Sequence, residues 1–349
     1  MKKALIAMSG GVDSSVSAFL CKEKGYDCMG ATMKLYNGFE DSTCCSLADI
    51  EDAKAVCHRL GMEHHVYNFT EDFDEKVIKK FIDAYECGAT PNPCIECNRH
   101  LKFAKLFAKM QELGYDYVVT GHYARIEQVD GRFLLKKAVD HTKDQSYVLY
   151  SMTQEQLAHT LFPLGEFEKS YAREIAEENG FINARKKDSQ DICFVPDGDY
   201  ATFIEKYAGK TYPCGDFVDK DGKVLGEHKG IIRYTIGQRK GLGLSLPAPM
   251  YVCDKDTLKN QVVLCSNEEL FSNSLDAVDF NWIAFDNPPE KVRAKARIRY
   301  NQVEEPATIF VTGKDTVHIE FDKPQRAIAK GQAVVVYDGD TVLGGGTIV

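Results

Sequence analysis

Three groups of residues carry the types and spacings that chemistry needs, and the first is the string Ser9-Gly10-Gly11-Val12-Asp13-Ser14-Ser15. It follows an apolar run and opens a helical pattern lasting to Gly25, so unpaired N–H groups and the positive end of a helix face one loop. Gly10 and Gly11 allow the backbone close to a phosphate, and Ser9, Ser14 and Ser15 add hydroxyl donors. Asp13 repels that phosphate unless a magnesium ion or a basic side chain stands between them. The absence of a following Gly-Lys-Ser/Thr weighs against a γ-phosphate loop of the Walker type. A tight strand-to-helix turn with an N-cap serine would use the same residues.

The second group is Cys94-Ile95-Glu96-Cys97. Asn92 can cap and Pro93 can begin a helix that continues to Leu113, which puts Cys94 and Cys97 on one face of its first turns. The helix dipole with Arg99 and Lys102 is expected to lower the Cys97 pKa and give a thiolate able to attack or to bind metal. A structural zinc site needs two further ligands, for which His100 and the Cys44-Cys45 pair are poor substitutes. Cys193, between Ile192 and Phe194, reads from its neighbours alone as a buried structural cysteine.

The third group is cationic. Arg293, Lys295, Arg297 and Arg299 alternate with Ala294, Ala296 and Ile298, so on a strand four cations project from one face able to track phosphates, and Tyr300 adds a ring for stacking. A solvated basic strand is the plainer alternative. Arg239 and Lys240 in the glycine-containing loop from Arg233 to Leu244, and Lys143-Asp144-Gln145, are further basic candidates.

The elements that must hold these residues follow from hydrophobic periodicity. Apolar runs at Ala4–Met8, Cys28–Leu35, His65–Phe69 and Tyr117–Gly121 alternate with amphipathic helices, the pattern of a parallel sheet covered by helices. One helix, from Asp72 to Cys87, places Phe73, Val77, Phe81 and Tyr85 on a stripe, and another runs to a stop at Gly114. Ligands in such sheets sit beyond the carboxyl ends of the strands, so Met33 and Gly121-His122 should share a crevice with Ser9. Met33 packs either on adenine or in the core, and Gly121 either admits a ribose or simply turns the chain.

At 349 residues the chain exceeds one core, and three domains are expected: an α/β unit over 1–207, a small β-rich unit over 208–272 with a hairpin at Asp-Lys-Asp-Gly, and a β-barrel over 273–349. The barrel strands are read at Arg293–Tyr300, Ala307–Val311, Val317–Phe321 and Ala333–Tyr337. A hydrophobic content of 44% with 27% charged residues is that of a globular chain. Twelve cysteines without a secretory leader point to a reducing compartment, the cytoplasm, and no apolar stretch is long enough to span a bilayer. A net charge of −9 confines any nucleic-acid contact to local patches.

The string Ser9-Gly10-Gly11-Val12-Asp13-Ser14 resembles the pyrophosphatase loop of N-type ATP pyrophosphatases, which adenylate a substrate and release pyrophosphate. With Thr90-Pro91-Asn92-Pro93, Cys97-Asn98, Lys143-Asp144-Gln145-Ser146-Tyr147, Asp188-Ser189-Gln190-Asp191-Ile192-Cys193-Phe194 and Tyr234-Thr235-Ile236-Gly237-Gln238-Arg239-Lys240-Gly241-Leu242, the resemblance is to the bacterial tRNA-specific 2-thiouridylase family and spans the whole chain.

That resemblance implies ATP, with Mg2+, on Ala7, Met8, Ser9, Gly10, Gly11, Val12, Asp13, Ser14, Met33 and Gly121. It implies adenylation of the C2 oxygen of the wobble uridine in lysine, glutamate and glutamine tRNAs. Cys193 then matches the persulfide cysteine and Cys97 its partner, which closes a transient disulfide with it. Asn92, Pro93 and Cys94 match the loop at the target base, and His122, Lys143, Asp144, Gln145, Arg299, Tyr300 and Gln332 match tRNA contacts. His122 also reads as a satisfied strand-end histidine and Gln332 as an ordinary turn residue. Sulfur would come from a cysteine desulfurase or a relay protein. The family commonly has aspartate where this chain has Cys94, so an iron–sulfur cluster on Cys94, Cys97 and Cys193 is a second implied route.

Overall fold

A computed structural model of the chain describes residues 1–36, 46–187 and 192–349. Cys44, Cys45 and the motif residues 188–191 lie outside that set. The first apolar run forms β1 (Lys3–Ala7), in which Ala4, Leu5 and Ile6 are fully buried, the burial on both faces that a central parallel strand requires. After helix α1 (Val12–Glu23) come β2 (Asp27–Lys34), α2 (Leu47–Arg59) and β3 (Glu63–Asn68). Helix α3 spans 70–86 with a π-helical turn at Asp74–Ile78, and α4 spans 93–112 with another at Asn98–Lys105. The stripe of Phe73, Val77, Phe81 and Tyr85 is buried as the periodicity requires.

β4 (Tyr117–Val119) returns to the sheet, and the chain leaves it as a hairpin of β5 (Ala124–Val129) and β6 (Arg132–Lys137) before β7 (Thr160–Leu161) closes the edge. The strand order is β3-β2-β1-β4-β7 with every pairing parallel, so the order reverses between β1 and β4. β4 is shorter than its pattern suggested because Gly121 belongs to the loop beyond it.

The middle of the chain forms a separate sheet, ordered β10-β11-β8-β9, from β8 (Gly215–Val218), β9 (Val224–His228), β10 (Tyr251–Asp256) and β11 (Gln261–Cys265). Its inner residues Phe217, Val252, Val262 and Leu264 share one apolar cluster with Leu5, Phe81 and Cys97. The C-terminal region is a closed antiparallel barrel of β12 (Phe271–Trp282), β13 (Lys291–Arg297), β14 (Glu305–Val311), β15 (Val317–Arg326), β16 (Ala333–Asp338) and β17 (Thr341–Ile348), closed by the pairing of β12 with β17.

The β5–β6 hairpin extends the barrel's sheet from β17, through Thr341 opposite Lys136 and Lys137 N–H donating to Asp340 O at 2.8 Å. The same end is pinned by a largely buried ion pair, Lys137 Nζ to Glu304 at 2.8 Å. A mixed core of Phe103, Leu135, Tyr147 and Tyr150 with Ile283, Val335 and Tyr337 fills the seam.

The basic strand departs from expectation. Ala296 and Ile298 do point into the barrel, 2% and 1% exposed, but the cations do not form one open row. Arg293 pairs with Asp322, and only Lys295 stands clear in solvent. Arg297 lies in the seam, donating to Tyr337 Oη at 3.0 Å and Asp144 Oδ2 at 3.5 Å beneath the rings of Tyr147 and Tyr337. Arg299 donates to the carbonyls of Ile236 at 3.2 Å and Ala327 at 2.8 Å. The physical reason is closure: the strand faces its own α/β unit and central sheet, whose acceptors take the guanidinium groups that an open strand would offer to solvent.

Removing one side of a buried charge pair leaves the other desolvated. Arg297→Ala is therefore expected to lower the free energy of unfolding by about 3–5 kcal/mol, read from urea denaturation, while Lys295→Ala changes it by no more than about 0.5 kcal/mol.

Candidate functional site

The loop after β1 lies at the reversal of strand order, where open α/β sheets hold their ligands. Gly11 caps α1 without a side-chain hydrogen bond, so the first-turn N–H groups stay available, and Ser14 Oγ accepts from Ser9 N–H at 3.2 Å and lies 3.2 Å from Ser9 Oγ. The glycines divide the work. Gly10 has φ of +73° and a Cβ there would meet Asp49 O at 2.3 Å, so it is required for the fold of the loop against α2. A Cβ on Gly11 would meet only Ser9 Oγ, at 3.4 Å, among the described residues, leaving that side of the loop open to an anion. Gly121 serves packing: its Cβ would lie 2.9 Å from Ser14 N, so its backbone abuts the start of α1.

Of the two ways to neutralise Asp13, the structure supplies the basic side chain. Buried Lys169 places Nζ at 2.6 and 2.8 Å from its carboxylate oxygens, and Tyr123 Oη donates to it at 3.1 Å. A second cation, Lys186, bonds Asp49 at 2.6 Å, Asp52 at 2.7 Å and Gly10 O at 3.3 Å. Asn183 donates to Gly10 O and Ser15 Oγ, both at 2.9 Å. Ser15 is thereby a fully buried brace, not the phosphate donor it was read as. Lys169, Asn183 and Lys186 escaped the sequence reading because nothing local marks them. Ala7, Met8 and Val12 form the base of the loop, and Met33 is 7% exposed within the core cluster beside β3.

The helix α4 begins as read, with Asn92 Oδ1 accepting from Cys94 N–H at 3.1 Å and Pro93 in its first turn. The two cysteines do not share a face. Cys97 turns into the apolar cluster, 8% exposed, because it falls on the buried side with Ile95 and Leu101. Cys94 reaches solvent while protein crowds its thiol, the situation of a residue on the wall of a cleft. That crowding first, and nearby Cys193 second, raise the Cys94 pKa against a smaller opposing pull from Lys102. Arg99, expected beside Cys97, instead pairs with Asp279 on the barrel.

A run of close approaches leads from the loop after β1 to Lys102. Gly121 abuts Asp13 and Ser14; the adjacent His122 accepts or donates at Thr120 Oγ1, 2.7 Å from Nδ1, and sits 3.4 Å from Lys102 Nζ through Nε2. Beyond Lys102 the links are electrostatic and not contacts: the charge of Lys102 reaches Cys94, as does Cys193, and Cys94 influences Tyr300. Burial, with Lys102 adding to it, holds the His122 pKa well below 6.5, so the ring is neutral and satisfied. Tyr300, 37% exposed, donates to Asp144 O at 3.1 Å.

Several expected tRNA contacts are engaged within the protein. Asp144 is 7% exposed and accepts from Ser146 Oγ at 2.8 Å; Gln145 Oε1 accepts from Tyr123 N–H at 3.0 Å; Lys143 is half-buried beside them. Gln332 donates to Thr90 O at 2.9 Å, while Thr90 N–H donates to Lys330 O at 2.8 Å. Among the described residues no three His, Cys, Asp or Glu side chains gather closely enough to hold a metal ion.

Two outcomes follow from this geometry. Gly10→Ala should destabilise the fold by about 1–3 kcal/mol, whereas Gly11→Ala should melt normally yet lose the thermal shift that saturating ATP gives the unaltered chain. For His122, the folded pKa lies below the unfolded value of about 6.5, so its contribution to stability is complete above that pH and is lost as pH falls toward the folded pKa. His122→Gln should therefore flatten the decline of stability as pH falls below about 6.5, measured by urea titration.

Comparison with known proteins gives three matches along the chain. Residues 2–197 match the family described as "tRNA methyl transferase HUP domain", 201–266 the "tRNA methyl transferase PRC-barrel domain", and 272–348 the "Aminomethyltransferase beta-barrel domain". The tRNA-specific 2-thiouridylase MnmA of Clostridioides difficile (strain 630) is 53% identical over 99% of this chain and 98% of its own length. The protein of that name from Clostridium acetobutylicum is 51% identical over 99% of both, and that from Symbiobacterium thermophilum 50% identical over 99% of this chain and 92% of its own. Identity at this level along the entire length, over a phosphate loop linked to a cysteine helix, means that the chain belongs to the bacterial tRNA-specific 2-thiouridylase family of the PP-loop superfamily.

Proposed function

We propose that this chain is an ATP-dependent tRNA sulfurtransferase that converts the wobble uridine of lysine, glutamate and glutamine tRNAs to 2-thiouridine in the cytoplasm. The observation that carries this reading is the sequence of close approaches from the Gly11 cradle through Gly121 and His122 to Lys102, whose charge reaches Cys94 as the neighbouring Cys193 does. It supports one crevice that takes a nucleotide at one end and presents sulfur at the other. No helix among the described residues is long and apolar enough to cross a membrane.

The chemistry follows from the reactants. A uridine carbonyl is a weak electrophile until its oxygen becomes a leaving group, so the O2 oxygen attacks the α-phosphorus of ATP and pyrophosphate departs into the first-turn N–H groups of α1. Lys169 keeps Asp13 from repelling the phosphates, and Mg2+ accompanying ATP neutralises them further. The terminal sulfur of a Cys193 persulfide, loaded by a cysteine desulfurase or relay protein, adds to C2; AMP leaves; the Cys97 thiolate takes the inner sulfur as a disulfide, freeing 2-thiouridine. A small thiol then reduces the pair.

The place of Cys94 at the exposed start of α4 supports its lining the base pocket, with Cys97 and Cys193 as the reacting pair. Nucleoside mass spectrometry of tRNA treated with enzyme, ATP and a sulfide source should reveal 2-thiouridine. Cys97→Ser and Cys193→Ser should abolish it while ATP and tRNA binding persist, and Cys94→Ser should retain it within about tenfold. Equal loss in all three variants would favour a three-thiol cluster instead, and pyrophosphate release without tRNA would favour a small-molecule ligase.

A further inference from the structure

The central sheet holds a second pair of sulfurs that the thiolation chemistry leaves unused. β10 and β11 run antiparallel, with Val252 opposite Leu264 and Asp254 opposite Val263, so Cys253 is the additional residue of a β-bulge. A bulge turns two successive side chains to one side of the strand. Val252 and Lys255 point into the core, 0% and 9% exposed, while Cys253 faces the side of Val263 and Cys265 and donates to Val263 O at 3.5 Å. The two thiols interact directly with one another across the strands. Lys220, held by Glu269 at 3.1 Å, is close enough to feel both, and Asp254 and Arg326 complete the charged surroundings.

The pair is asymmetric. Cys253 is half-buried, and Cys265, at the end of β11, is 1% exposed. One sulfur is reachable from solvent and the other waits behind it, the arrangement an attacking and a resolving thiol need. We propose that Cys253 and Cys265 are a modification site, a dithiol that low-molecular-weight disulfides convert to a cross-strand disulfide. In the first step the Cys253 thiolate attacks the small disulfide, expels one small thiol and becomes a mixed disulfide. In the second the Cys265 thiolate attacks Cys253 Sγ and expels the other. One protein disulfide and two reduced small thiols balance the oxidant consumed, and the two protein protons pass to solvent or to the departing thiolates.

Burial pushes the Cys253 thiol up to about 12, with the neighbouring Cys265 adding to it, which makes the exchange slow at neutral pH. The same property makes both sulfurs poor leaving groups, so the bond, once closed, resists reduction. Its place also matters: Val252 accepts from Gly237 N–H at 2.7 Å and donates to Gln238 O at 3.0 Å, so the bulge is anchored to the turn that presents exposed Arg239 and Lys240.

The test uses the full chain, reduced and then incubated with oxidised glutathione, quenched by alkylation and digested without reductant. A peptide pair linked through Cys253 and Cys265, lighter by two hydrogens, is expected, and Cys265→Ser should leave Cys253 carrying glutathione. If Cys265→Ser does not fold, Cys253→Ser, altered at the more accessible position, should leave Cys265 unmodified. Two results overturn the proposal: Cys253 of the unaltered chain accumulating as a glutathione adduct with Cys265 intact, or both thiols remaining alkylatable while the exposed Cys87 and Cys214 are oxidised.

Discussion

The turn that leads into the cysteine helix is held by a barrel encoded at the opposite end of the chain. Thr90 gives its N–H to Lys330 and its carbonyl to Gln332, and Gly331 is glycine where a side chain would crowd Ala89, its Cβ 3.0 Å from that of the alanine. A few residues on, Arg99 reaches Asp279, which sits at φ of +52° in an irregular stretch of β12 where the register shifts. Such bulges re-aim side chains, and this one aims a carboxylate at the cysteine helix. Asn98 completes the hold by donating to Val148 O at 3.0 Å. Helix α4 is thus fixed from the barrel, from the seam and from its own Asn92 cap, so the position of Cys94 and Cys97 is a property of the assembled chain.

This hold also explains where the positive charge went. A protein with a net charge of −9 that must receive a polyanion has reason to display its cations, yet Arg99, Arg297 and Arg299 each make contacts between units. A guanidinium suits that work because its planar fork satisfies several acceptors at once and its charge survives burial. Of the cations read from the sequence as phosphate contacts, Lys295, Arg239 and Lys240 remain in solvent, on the barrel and on the turn of the central sheet.

Much of the fold was legible because it rests on periodicity. The buried stripe of α3, the strand-loop-helix at Ser9 and the cap at Asn92 are local patterns read at local spacing. The barrel was legible as a barrel from its alternation, and Ala296 and Ile298 point inward as that alternation demands. What was hidden is what depends on long-range pairing. The hairpin of β5 and β6 carries no mark that its partner is β17. Asp144 and Gln332 look like polar surface residues until the seam closes over them. Lys169 and Lys186 look like solvated lysines, and only the arrival of their helix and loop beside Asp13 and Asp49 gives them work. The separation of Cys94 from Cys97 turned on a smaller matter: which side of a helix start faces the core is decided by the neighbours packed on it, here the aromatic and aliphatic residues around Leu101.

The hairpin has a consequence for biogenesis. During synthesis the α/β unit emerges first, with β5 and β6 already able to pair with each other but with the free edge of β6 and the rings of Tyr147 and Tyr150 awaiting strands at the far terminus. Until β16 and β17 leave the ribosome, that unit carries an unpaired strand edge beside an uncovered apolar surface, the combination that recruits unwanted neighbours. A chain cut short before β16 would thus keep its nucleotide loop and its thiols yet remain dependent on chaperones, since the last strands to be made are also the cover of the first unit to fold.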